Sequence, residues 1–262
     1  MTDSIFDITI INLVIAYIFV LILLFIVKRE KVGHEKQILI ASFRMTLQLV
    51  LVGYLLTYVF ENPNPYITLL ILLIMETFAI FNIYSRVESK LSLNLKFIIG
   101  ISMFGGTLIS ILFFLFIVIN IEPWFMPQYF IPISGMLIGN SMTGISLGAQ
   151  GLITGVKDNK EMIENALMLG ASPTKATKEI QNRSFYNAVL PTINSMIGMG
   201  IVFLPGMMTG QILAGATPLT AIKYQIAIMM GILGSVTLTV YLMVKWGMKS
   251  FFNERAQINI KS

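Results

Sequence analysis

The sequence predicts an all-α, polytopic integral membrane protein with about seven transmembrane helices, the N-terminus outside and the C-terminus cytoplasmic. Three observations predict it. Hydrophobic residues fill 56% of the 262 positions and charged residues only 12%, about half the charged share of an ordinary soluble domain. The mean hydropathy is +0.81, and long charge-free runs recur along the whole chain, each near the roughly 20 residues that a helix needs to cross about 30 Å of hydrocarbon. All but two of the 18 basic residues lie between alternate runs, the asymmetry that places Lys and Arg in cytoplasmic loops.

The first run, near 5–27, follows the acidic start MTDSIFDITI, where a cleavable signal would be basic, so it reads as a retained span. Lys28, Arg29, Lys31 and Lys36 lead to the second, near 38–60, which ends at the turn-like ENPNPY from Glu61. The third, near 66–85, precedes Arg86, Lys90 and Lys96; the fourth, near 97–119, precedes IEPWFMPQ from Ile121. After the fifth, near 130–155, come Lys157, Lys160, Lys175, Lys178 and Arg183. Pro191 then opens the sixth, near 192–213, because proline is tolerated in a first helical turn. The turn AGATPLT from Ala214 leads to the seventh, near 221–244, followed by Lys245, Lys249, Arg255 and Lys261. The opposite side carries Glu61 and Glu122; the two exceptions are Arg44, inside the second span, and Lys223, at the outer edge of the seventh. The expected organisation is one transmembrane domain, 1–262, in the plasma membrane and in contact with its lipid. Its sizeable soluble piece is the cytoplasmic segment at about 157–190.

Composition excludes several chemistries. With no cysteine there is no disulfide, zinc-thiolate site, iron–sulfur cluster or thiol nucleophile. One histidine, His34, cannot build a multi-histidine metal site. The net charge of +5 belongs to the cytoplasmic loops and not to nucleic-acid binding, for which the sequence has no motif. No G-x-x-x-x-G-K-[ST] phosphate loop is present: GNSMTGIS at Gly139 has the glycines but no lysine. The chain is therefore expected to be no enzyme and to hold no cofactor of its own.

Polar residues at membrane depth mark the candidate path. Arg44 and Glu76 are ionisable residues within spans, where charge is costly and faces an interior or a water path. Gln48 shares a helix face with Arg44, and Arg44 and Glu76 are expected to pair or to share a hydrated cavity, with Glu76 a cation ligand or simply part of a buried pair. Asn140 in the fifth span and Asn194 and Gln211 in the sixth extend the list. Pro205–Gly206 should kink or break the sixth span, and Met207 and Met208 beside it could line a path. The fifth span also holds three Gly-x-x-x-Gly pairs from Gly135 to Gly155, read either as internal packing or as a dimer seam.

The cytoplasmic segment reads as a short amphipathic helix, Lys157 to Leu169, with Asp158 or Asn159 as cap and Met162, Ile163, Ala166, Leu167 and Leu169 as its apolar stripe. Gly170 ends it and Ser172–Pro173 begins the next helix. Such a helix docks in another protein's groove or rests on a membrane or its own loops. ENALMLGA from Glu164 resembles the Glu-Ala-Ala-x-x-x-Gly motif of bacterial ABC importer permeases, with Asn165 replacing the first Ala. A longer likeness covers nearly the whole chain. RMTLQLVLVGYLL from Arg44, GMLIGNSMTGISLG from Gly135, ENALMLGASP from Glu164 and GIVFLPGMMTGQILAGATPLTAIKYQI up to Ile226 resemble the Fet-type (FetB) iron-export permease family, to which plant aluminium-tolerance permeases are related.

That resemblance implies the permease half of an ABC exporter for iron or another metal. It would be a homodimer working with two copies of a separate ATPase that uses ATP and magnesium. It also implies a coupling segment carried by Glu161, Glu164, Ala166, Leu167, Gly170, Ala171, Ser172 and Pro173. An ATP-independent secondary transporter, a seven-helix receptor or retinal protein (which needs a lysine deep in its seventh span, where Lys223 is only two residues in), and a non-metal cargo such as a nucleotide sugar stay open as alternatives.

Overall fold

The computed structural model describes residues 8–87 and 91–258. Lys90, Lys261 and residues 5–7 of the first expected span lie outside the described residues. The chain divides into two compact units, Met1–Asn62 and Pro63–Ser262. Among the described residues it is helical, with no strand beyond two isolated bridges.

The first unit is a helical hairpin. Helix α1 (Ile10–Ala16) is capped by Thr9, whose hydroxyl accepts from the Asn12 amide at 3.3 Å. Helix α2 (Ile18–Arg29) continues it across Tyr17. The chain reverses through Lys31, Gly33 and His34, all at positive φ, into α3 (Glu35–Glu61). A hydrogen bond between the Tyr17 and Thr46 hydroxyls ties the two arms.

The second unit holds the core. Helix α4 (Pro65–Arg86) starts at Asn64, which accepts from the Tyr66 amide, with Pro65 in the first turn. Helix α5 (Leu93–Phe113) is capped by Ser92 and runs on as a π-helical turn, Phe114–Ile119. Then follow α6 (Pro127–Asp158), α7 (Lys160–Met168), α8 (Pro173–Ala176), α9 (Lys178–Gly198), α10 (Gly206–Leu213) and α11 (Pro218–Lys249). Helix α11 packs along both α5 and α6, α9 lies on α6 and α11, and α4 lies on α6. Met103, Phe114, Leu137, Ile145, Leu152, Ile228, Val240 and Met243 fill the centre.

Lipid supplies no hydrophobic drive for helices to associate, so close backbone approach carries the packing. The α6 glycines serve this within the unit. Gly144 faces Val236 and Val240, Gly148 faces Met243, Gly151 faces Ser184, and Gly155 faces Ile180. These positions of the Gly-x-x-x-Gly series are internal packing; Gly139 alone in the series faces open space.

Among the described residues six helices are long and apolar enough to cross a bilayer: Ile10–Arg29, Glu35–Glu61, Pro65–Arg86, Leu93–Ile119, Pro127–Asp158 and Pro218–Lys249. The expected sixth span, near 192–213, is not one helix. Helix α9 begins at Lys178, passes through Pro191 in its interior and stops at Gly198. Helix α10 resumes at Gly206 with Pro205 as its N-cap. Between them Gly200 adopts φ +84° and donates its amide to the Phe203 carbonyl at 2.9 Å. The break falls where Pro205–Gly206 predicted it. Pro191, expected to open a helix, is accommodated instead within α9, because burial of Ile180, Ser184, Ala188 and Val189 fixes the helix from its start. Residues 178–190 are therefore bundle helix, and the loop-like part of the 157–190 segment shrinks to α7, α8 and their turns.

Candidate functional site

Glu76 sits near the middle of α4, about 15 Å from either end by helical rise. Only 3% of it is exposed. One carboxylate oxygen accepts from the Thr107 hydroxyl on α5; the other, equally buried, has no hydrogen-bond partner. Thr107 also donates to the Met103 carbonyl of its own helix at 2.7 Å, which holds its hydroxyl in place. A buried carboxyl with one oxygen unsatisfied costs free energy, roughly 1–3 kcal/mol or more for a charged group, so the position is a candidate for function. Arg44 and Gln48 lie on one exposed face of α3 in the first unit, while Glu76 lies in the second.

Helix α6 carries a polar stripe on the side away from the core. Asn140, Thr143 and Thr154 are exposed, and Asp158 follows at the end of the same face. Asn140 donates its amide to the Met136 carbonyl at 2.8 Å and keeps its oxygen free of any hydrogen bond. The contacts Gly155–Ile180, Gly151–Ser184 and Gly144–Ala188 set an antiparallel register between α6 and α9. That register carries Asn194 to about the height of Asn140, and Asn194 is exposed as well. Backbone and side-chain amides in hydrocarbon must be covered by protein or water.

The interrupted segment gathers other groups. Met208 is buried and Met207 half-buried; the Gln211 side-chain oxygen is buried without a partner. Beside the break, Gln225 on α11 directs its amide nitrogen to the Met199 sulfur at 3.7 Å and leaves its oxygen unpartnered. Sequence reasoning missed Met199 and Gln225. Gln225 lies seven residues into α11, and its only signal was an amide near the start of an apolar run. Among the described residues no group of three or more His, Cys, Asp or Glu side chains lies together to hold a metal ion.

The α7 segment has two faces. Ile163 is fully buried, and Leu167 packs against the core. Glu164 pairs with Lys160 at 3.8 Å. Glu161 is exposed, and Ala166 is half-buried. Asn159 is the N-cap residue, one of the two positions expected, but its side chain makes no capping bond and donates back to the Gly155 carbonyl at 2.8 Å. The helix ends in a Schellman arrangement: Gly170 at φ +85° donates to the Leu167 carbonyl and Ala171 to the Ala166 carbonyl, each at 3.0 Å. Ser172 and Pro173 then start α8, as the sequence reading expects. This turn projects Met168, 78% exposed, and Leu169, 89% exposed, away from the rest of the unit. Met168 is absent from the sequence-derived stripe, whereas Ala166 and Leu167, expected at a docking face, turn partly inward.

The model of the uncharacterised protein family UPF0014 matches residues 10–252. The UPF0014 membrane protein YjkA of Bacillus subtilis is 35% identical over 247 residues, 94% of this chain and 97% of that protein. The probable iron export permease protein FetB of Escherichia coli is 32% identical over 247 residues, 94% of this chain and 93% of that protein. Protein ALUMINUM SENSITIVE 3 of Arabidopsis thaliana is 32% identical over 243 residues, 93% of this chain and 87% of that protein. No solved structure matches the chain. With six helices of membrane-crossing length and a relative named as a membrane protein, the chain is a multi-pass membrane protein.

Proposed function

The chain belongs to the UPF0014 family, and from that premise we propose that it is the permease subunit of an ABC-type exporter moving iron or another metal ion out of the cytoplasm. One observation carries the transport reading: the polar stripe from Asn140 to Asp158 on α6, with exposed Asn194 of α9 at about the height of Asn140, runs along a helix long enough to span the bilayer. Amides and hydroxyls at that depth suit a hydrated path and suit lipid poorly. Cargo and direction come from the Escherichia coli relative's name, probable iron export permease. In this reading the whole chain acts as one permease, with its N-terminus outside. The interrupted α9–α10 pair supplies the seventh crossing. Glu76, Met207, Met208 and Gln211 join the path, as do Arg44 and Gln48 on α3.

The energy source is a separate ATPase, two copies serving a permease homodimer. Burial of Ile163 and the Gly170 turn hold α7 as a rigid projection suited to a partner's cleft, with Glu161, Glu164, Ala166, Leu167, Ala171, Ser172 and Pro173 forming its flanks. The interrupted helix is the one feature that favours an ATP-independent carrier, where broken helices surround ion sites.

Mild purification of the tagged protein from native membranes, with mass spectrometry of what stays bound, separates the two. A soluble subunit with a phosphate loop, at about equal stoichiometry, is the expected result. A protein that purifies alone and moves its cargo in liposomes without ATP would overturn the reading.

A further inference from the structure

We propose that the cleft between the C-terminal end of α6, α7 and the first turns of α9 is a cation-loading site, where a hydrated divalent metal ion docks before it enters the polar stripe. The inference rests on the transport reading and adds a site at its cytoplasmic mouth.

The cleft encloses about 290 Å³. Two carboxylates line it, Asp158 at the end of α6 and Glu179 in the first turn of α9. They are 21 positions apart in sequence and line one cleft only because the two helices run antiparallel in this register. Both are exposed, and among the described residues neither has an ion pair or side-chain hydrogen bond, although Arg183 lines the same cleft. The nearest basic neighbour along α7, Lys160, is occupied by Glu164.

Ser184 adds an independent pointer. It is 3% exposed, yet its hydroxyl makes no hydrogen bond, not even to the carbonyl one turn back that a helical serine ordinarily uses. The hydroxyl is turned to the α6 wall of the cleft instead, 3.0 Å from where a Cβ on Gly151 would stand. Asn159 commits its amide nitrogen to the Gly155 carbonyl at 2.8 Å, which leaves its oxygen as the acceptor toward the cleft.

The cleft's donors are thus mostly oxygens, from two carboxylates, the Ser184 and Thr154 hydroxyls and the Asn159 and Asn187 amides, beside one thioether, Met162, and no imidazole. Oxygen sets of this kind suit hard divalent ions that keep part of their water. Two carboxylates opposed by one guanidinium leave the cleft with a net charge near −1, enough to gather a cation but not to trap it. A conduction path needs that balance, because each site must release its ion to the next. Directly beyond Ser184 the stripe continues through Gln150, Thr143 and Asn140.

The test uses the full-length protein in nanodiscs, without nucleotide, and Mn²⁺ as the probe, with free Mn²⁺ read from its paramagnetic resonance signal. The wild type is expected to bind about one Mn²⁺ per chain with a Kd on the order of 0.1 mM, the range of weak oxygen sites. The paired substitution Asp158→Asn with Glu179→Gln should weaken binding by about tenfold or more, and Ser184→Ala by about threefold. Arg183→Gln should tighten it. All these side chains except Ser184 are exposed, so gel filtration and circular dichroism should match the wild type. Mn²⁺ binding unchanged by the paired substitution, no binding at all, or weaker binding in Arg183→Gln would overturn the proposal. A site that binds Mn²⁺ as expected in a chain that exports no metal would sink the transport reading and leave the site standing.

Discussion

If α7 docks the proposed ATPase partner, replacing Leu169 by Asp should weaken that docking without destabilising the fold. Leu169 is 89% exposed and Met168 78% exposed, so neither contributes appreciably to the fold. If they seat in a partner's apolar cleft, burying one such side chain contributes about 1.5–3 kcal/mol, and anchors of this kind dominate interface energies. At about 1.4 kcal/mol per tenfold, Leu169→Asp should weaken ATPase binding by roughly 10- to 100-fold, before the added cost of burying the new carboxylate. Titrating the purified ATPase against the permease in nanodiscs measures it, with thermal unfolding alongside. Ile163→Asp is the contrast. Ile163 is fully buried, so a carboxylate there should lower thermal stability by several kcal/mol and weaken binding only as a consequence. Binding of Leu169→Asp within about twofold of wild type, well below the factor that burial of a leucine implies, would refute the projection as the docking element. A large stability loss in Leu169→Asp would refute the reading that it touches little of its own chain.

Two further outcomes follow from packing and from the buried acid. A Cβ on Gly106 would stand 2.5 Å from the Thr239 methyl and 3.1 and 3.2 Å from the Thr239 Cα and backbone nitrogen. The methyl could turn aside but the backbone could not, so Gly106→Ala should cost about 1–3 kcal/mol, a fall of about 2–4 °C in melting temperature per kcal/mol. Gly105→Ala, where nothing lies within 4 Å, should be neutral or slightly stabilising; equal melting temperatures for the two would contradict the α5–α11 contact. Glu76→Gln keeps the shape and the acceptor for Thr107 but removes the charge. Metal uptake into inverted vesicles supplied with ATP should therefore drop by about tenfold, with the melting temperature kept, and wild-type uptake would remove Glu76 from the path.

Much of this fold is written locally. The third and seventh expected spans, 66–85 and 221–244, lie inside α4 and α11, because Asn64–Pro65 and Thr217–Pro218 are start signals that act through their own backbone. Gly170 likewise marks the end of α7, since a left-handed residue is needed there and glycine adopts it freely. The start of the sixth segment differs from the local expectation for the opposite reason. A hydropathy window merges the apolar second half of α9 with α10, and Pro191 looks like a start when only local rules are applied. The actual start at Lys178 is fixed by Ile180 and Ser184 reaching Gly155 and Gly151 on a helix some thirty positions earlier.

The same reasoning divides the site residues. Asn140 and Asn194 are legible one at a time, as amides inside apolar runs, but their common height needs the α6–α9 register. Asp158 and Glu179 had no legible signal: each reads as an ordinary loop charge near lysines, and only the register sets them on one cleft with the Ser184 hydroxyl behind them. The register itself is built from glycines facing α9, on the side of α6 next to the polar stripe. The residues that let the two helices approach closely therefore also place the polar groups of both along a single line. Widening that contact, as a bulky residue at Gly151 would do by pressing on Ser184, should disturb the cleft and the stripe together.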